Sequence, residues 1–219
     1  MRRLLAALLA LVATVATVAP LDAPELAPYR ALARNPLDAA GALQAARIGL
    51  ATALGESDVP SLTRVPEWPG SPRPVYVTLV RGRASRACVG SDVPLGGSLA
   101  ATLMQLGERL ADSDLRRAPV RAEELDTLRL VVAFASDPVA VSDPMTVDPA
   151  REGLKIESVR GAIAFLPGEA RTVAWALREA RRVGVLVGTT SEARCSRFSV
   201  VTLSGPATTR SHRSSGEKP

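Results

Sequence analysis

Histidine is nearly missing from these 219 residues: the single one, His212, sits in a polar stretch near the C-terminus. A Ser-His-Asp triad, a histidine zinc site and histidine-ligated haem therefore have no ligand or base in the body of the chain. Two cysteines, Cys88 and Cys195, are too few for a disulfide scaffold and, with one remote histidine, too few for structural zinc. No metal and no cofactor is expected. Seven aromatic residues leave little material for stacking nucleic-acid bases. Glycine and proline recur without a period, which excludes a collagenous chain.

Lysine is almost absent too, with 2 Lys against 25 Arg, the bias that a GC-rich genome imposes. The formal charge of +5 falls to +4 without residues 1–23, which hold Arg2, Arg3 and Asp22. It falls to +2 without the residues after Leu203, which hold Arg210, Arg213 and Lys218 against Glu217. A domain of that charge with scattered arginines lacks the footprint of a nucleic-acid binder. What is present, 47% apolar and 22% charged residues, suits one folded domain with a working core.

Met1-Arg2-Arg3 precedes an uncharged run of 18 residues, Leu4 to Leu21. A basic start followed by an apolar stretch reads as a secretory signal peptide over residues 1–23, or as an uncleaved N-terminal anchor just long enough to span a membrane. Small residues place candidate cleavage after Ala16, Ala19 or Ala23, the last two followed by proline. Either reading predicts an extracytoplasmic protein, secreted or periplasmic, in contact with membrane only if the leader stays. No cysteine follows the apolar run, which excludes a lipid-anchored bacterial lipoprotein.

Pro24, Pro28 and Pro36 predict a linker over 24–37. Asp38 is the expected cap of a helix to about Leu54, with Leu43, Ala46, Leu50 and Leu54 on one face. A proline-broken loop follows. Val75–Val80 and Ser85–Val89 form a predicted hairpin about Gly82. Ser98 caps a helix whose stripe is Leu99, Leu103, Leu106 and Leu110. Ala122–Leu125 is a helical turn, Leu128–Phe134 a strand, and Gly153–Glu157 with Ala162–Leu166 a second hairpin. Ala170–Val183 is a helix, and Phe198–Leu203 one closing strand before a disordered tail over 204–219. The expected fold is α+β, a mainly antiparallel sheet flanked by helices over residues 38–203.

Arg86-Ala87-Cys88-Val89-Gly90 resembles the Leu-Arg-Gly-Cys-Ile-Gly signature of the AMMECR-type domain family. Neighbouring segments agree in order: Val75–Leu79 before the signature; Asp114, Arg116, Pro119-Val120 and Glu123-Glu124-Leu125 after it; then Gly153–Ile156, Phe165-Leu166-Pro167 and Arg197-Phe198. The chain departs from the family at Ala87, normally glycine, at Leu115 and Arg117, and at Gly168, normally glutamine. An alanine Cβ at position 87 is expected to narrow a site built around bare backbone. The resemblance implies an AMMECR-like fold, an activity not established for the family, and a signature cysteine in a cleft. Bacterial members are linked with Memo-like and radical-SAM partners, which are cytoplasmic in character, so that link does not carry over to a chain with a leader.

Three readings of Cys88 stand together. It is a nucleophile with Arg86, two positions along the strand, favouring the thiolate; or a small buried hydrophobe; or half of a disulfide to Cys195 closing a loop of about 107 residues, worth roughly 4–5 kcal/mol. Asp114, Arg116, Gly90 and Pro167 are candidate substrate-binding residues. The expected function is a binding or accessory module for a small molecule or protein, with a thiol-dependent enzyme acting on a small or peptide substrate as the alternative.

Overall fold

Pro24 and Pro28 start helices rather than break the chain. Each falls in a first turn, where a backbone N–H has no helical partner to lose. The computed structural model describes residues 23–57, 59, 61–114, 116–188 and 193–208. In it a 3-10 turn, Pro24–Leu26, runs into α1 (Ala27–Arg34) and buries Leu26, Tyr29 and Leu32 in the main core. The expected linker over 24–37 is thereby corrected. Of the expected leader over 1–23, residues 1–22 lie outside the described residues, while Ala23 is buried in the main core; no helix among the described residues is long and apolar enough to cross a membrane.

Asn35, not Asp38, caps α2 (Pro36–Ala53), its side chain accepting the Leu37 N–H. Asp38 sits inside the first turn, ion-paired with Arg64. In α3 (Leu99–Leu110) Ser98 Oγ accepts the Ala101 N–H at 3.1 Å, and the predicted leucine stripe is fully buried. Each such leucine contributes about 1.5–3 kcal/mol. The helices α2 and α3 meet backbone to backbone: a Cβ on Gly49 would overlap the Met104 carbonyl, and one on Gly107 the Ala46 carbonyl.

The strands, in chain order, are β1 (Val75–Arg81), β2 (Ala84–Ser91), β3 (Arg129–Ala135), β4 (Val139–Ala140), β5 (Gly153–Ser158), β6 (Gly161–Phe165), β7 (Arg194–Phe198) and β8 (Val200–Pro206), with α4 (Val173–Arg182) between β6 and β7. They divide between two antiparallel sheets, β2-β1-β3-β8 and β4-β7-β5-β6. Alternation along β1 sends Val75, Val77 and Leu79 to the helices. Tyr76 goes the other way, packing with Ala133, Ala135, Leu166 and Phe198 between the sheets. The second sheet packs Leu154, Ile156, Phe165 and Cys195 against Val173, Ala176, Leu177 and Ala180. The layers therefore run α1–α3, first sheet, second sheet, α4, and the α+β expectation holds with two sheets in place of one.

The expected single closing strand is two. At Ser199 the chain leaves the second sheet for the first, pinned by paired bonds with Ser136 at 2.9 and 3.0 Å. Burial along β7 does not alternate, so its residues carry no period-two signal. The expected tail also starts later: β8 continues to Pro206, and Ala207 is buried with its N–H on the Leu128 carbonyl.

Candidate functional site

The signature strand β2 lies at the junction of the two sheets. Cys88 faces Thr78 across the β1–β2 ladder, and the Thr78 hydroxyl donates to its sulfur at 3.1 Å. Gly90 faces Tyr76, whose ring occupies the space a Cβ at Gly90 would need. That ring stacks on Phe198 at 5.9 Å between centroids. The signature glycine thus makes room for an aromatic bridge between the sheets. Ala87 points the opposite way, into the core against the helices, so its Cβ does not narrow the site and that expectation is corrected.

Arg86 is not the charge partner of Cys88. Its guanidinium grips Glu124 through two bonds, 2.7 and 2.8 Å, and donates to the Ala118 and Pro119 carbonyls. It fastens β2 to the 118–124 segment, and its hydrogen bond holds the Glu124 carboxyl down at about 2.

Asp114 and Arg116 do come together beside Cys88. Asp114 Oδ2 accepts the Cys88 backbone N–H at 2.8 Å, and Oδ1 accepts Arg116 Nε at 3.0 Å. Arg116 Nη1 reaches Glu169 at 2.8 Å, and Glu169 accepts the Leu166 N–H at 3.1 Å. Asp114 is buried, and the Arg116 and Glu169 side chains keep only 9% of their surface exposed. Burial alone would raise the Asp114 carboxyl; the hydrogen bonds from Arg116 outweigh it and hold it low. Pro167 stays outside the cleft, half-buried in the turn that delivers Glu169. Glu169 itself is a residue the sequence reading missed, since one acid after a Pro-Gly turn has no motif around it.

Between the sheets lies a cleft of about 340 Å³. One wall is Cys88, Val89 and Gly90 of β2, the other Ala162, Ile163 and Ala164 of β6, with Tyr76 and Lys155 between them. Lys155 Nζ bonds Asp92 and Glu157, each at 2.8 Å; burial would lower its pKa, but these ion pairs raise it. Cys88 lines this cleft, yet its thiol is pushed up to about 12, first by burial and then by the Glu169 charge, with Arg116 opposing. The sulfur is therefore a protonated thiol at neutral pH. Cys195 lies in the other core, against α4, and both thiols are free, so of the three readings of Cys88 the disulfide is not formed.

Two antiparallel sheets, a helical layer outside each, and a cleft walled on one side by an Arg-x-Cys-x-Gly strand define the class: an α+β domain with a cleft between its two sheets. The AMMECR1 family model matches residues 43–201, and the chain belongs to that family. The crystal structure of uncharacterized protein PH0010 from Pyrococcus horikoshii is similar, with a TM-score of 0.53 and 18% identity over 74% of this chain and 88% of that one. At that identity the likeness speaks to the fold. No curated protein matches the chain.

Proposed function

We propose that this AMMECR1-family domain is a binding module whose ligand, a small molecule or a protein segment, sits in the cleft between the sheets. One observation carries the reading: the charges beside Cys88 are committed to one another, Arg116 to Asp114 and Glu169 and Arg86 to Glu124, while burial pushes the thiol's pKa up. Nucleophilic catalysis needs a thiolate and a base to make it; the cleft offers shape and hydrogen bonds instead. The test is a ligand screen by protein-observed NMR on the wild-type domain and on Cys88→Ala. Ligands that shift Gly90 and Ala164 and bind both proteins within a few-fold support the module. A ligand that is chemically converted by wild type and not by Cys88→Ala overturns it.

We propose further that the module works outside the cytoplasm, on the support of the basic start and uncharged run at residues 1–21. The domain constrains where a peptidase acts. Ala23 is buried and its carbonyl accepts the Leu26 N–H at 3.1 Å, so cleavage after Ala16 or Ala19 keeps this contact and cleavage after Ala23 removes it. Intact mass of the protein from its native host is expected to start before Ala23. Full-length mass from a cytosolic fraction overturns the export reading.

A further inference from the structure

Three consecutive residues of β6, Ala162, Ile163 and Ala164, border the cleft. Successive strand side chains point to opposite faces, so a cleft touching all three opens along the strand's edge. β6 is the last strand of its sheet. The β5–β6 hairpin closes on Ser158 and Gly161 with a two-residue loop, which makes that pair hydrogen-bonded and sends the N–H and C=O groups of Ala162 and Ala164 outward. Among the described residues no backbone hydrogen bond reaches those groups.

The facing wall has the same character. Cys88, Val89 and Gly90 also border the cleft consecutively, and the Cys88 N–H already reaches outward, to Asp114. Two residues on, the Gly90 peptide groups share that outward side. Natural edge strands carry proline, lysine or a bulge against unwanted pairing; Gly161-Ala162-Ile163-Ala164-Phe165 has none of these, and its alanines leave room for a neighbour about 4.8 Å away. At the rim stands Arg109, exposed and without a side-chain partner among the described residues.

We propose that the ligand of the cleft is an extended segment of a partner protein, which adds as a fifth strand beside β6 with an acidic side chain or C-terminal carboxylate on Arg109. This rests on the binding-module reading and names its ligand class. Main-chain bonds to Ala162 and Ala164 supply affinity, and the charge at Arg109 supplies direction.

A displayed library of random short peptides, selected on the whole domain and followed by NMR, tests it. Selected peptides are expected to carry an acid, to shift the Ala162 and Ala164 amides, and to weaken roughly tenfold when alternate amides are N-methylated but little when the intervening ones are. Arg109→Gln is expected to weaken them similarly. Ala164→Pro removes an outward N–H without touching the β5 ladder, and should abolish binding with the fold intact by circular dichroism; the methylated peptides decide the matter if it does not fold. Ligands that occupy the cleft but ignore methylation overturn strand addition and leave the module reading standing. A cleft that captures neither peptides nor small molecules overturns both. A concentration-dependent dimer lost in Ala164→Pro gives the edge to a second copy and overturns the partner peptide.

Discussion

Asp114 holds the Cys88 backbone N–H at 2.8 Å with Oδ2 while both of its oxygens accept the Arg116 guanidinium, at 3.1 and 3.0 Å. The bonds continue through Arg116 to Glu169 and end on the Leu166 N–H, just past β6. A buried chain of charge thus ties the signature strand of the first sheet to the last strand of the second. Buried ion pairs repay their desolvation only when geometry and hydrogen bonding are good, and here each carboxylate also accepts a backbone N–H. The chain joins the Tyr76–Phe198 stack and the Lys155–Asp92 pair in tying the two sheets together beside the cleft.

Arg116→Met leaves two buried carboxylates facing each other without their cation. We expect it to cost about 3–5 kcal/mol in urea unfolding. Asp114→Asn keeps an oxygen for the Cys88 N–H and should cost clearly less. Equal losses in the two variants would mean that packing, not charge, sets the penalty.

Glu124 titrates from an ordinary 4.5 down to about 2 through its hydrogen bond with Arg86. A carboxyl whose pKa is lower in the folded state adds stability that is complete above 4.5 and lost as pH falls toward 2. Glu124→Gln should therefore flatten the acid limb of the stability curve in that window while changing little at neutral pH beyond a constant offset. An acid limb unchanged in Glu124→Gln would place the proton uptake elsewhere.

The Cys88 thiol runs the other way. With its pKa raised to about 12 from an ordinary 9.0, iodoacetamide should label it slowly at neutral pH and progressively faster toward alkaline pH. Glu169→Gln removes the carboxylate that raises the thiol most after burial, and should speed labelling; Arg86→Gln should not change it. Because the folded pKa is the higher one, stability is complete below 9 and falls as pH rises toward 12, a slope that Cys88→Ala should remove.

Much of this was legible in the sequence, for reasons that residues make plain. Leu99, Leu103, Leu106 and Leu110 repeat at helical spacing, and the Arg86–Gly90 signature sits in a strand bounded by a Gly82 turn, so helix, hairpin and family could all be read. Alternation cannot report a strand such as β7, whose buried positions are consecutive. Nor can it report a partner across the fold: Arg86 and Cys88 are two residues apart, yet Arg86 answers to Glu124, while Cys88 answers to Asp114 and Glu169, 26 and 81 positions away. The prolines at 24, 28 and 36 misled because their cost depends on helical position, and all three fall in first turns.

Two glycines separate packing against a side chain from packing against backbone. Gly90 faces the Tyr76 ring, which can swing away at the expense of its stack on Phe198. Gly107 faces the Ala46 carbonyl, which is committed to the α2 ladder and cannot move unless the helices part. Gly107→Ala should therefore be the more destabilising, by more than the roughly 1–3 kcal/mol typical of overpacking, and a Gly49→Ala replacement at the same crossing should behave alike. Gly90→Ala should fall within that range and be largely relieved by Tyr76→Ala in a double-mutant cycle. Additive losses for Gly90 and Tyr76 would show that the ring is not what the signature glycine accommodates.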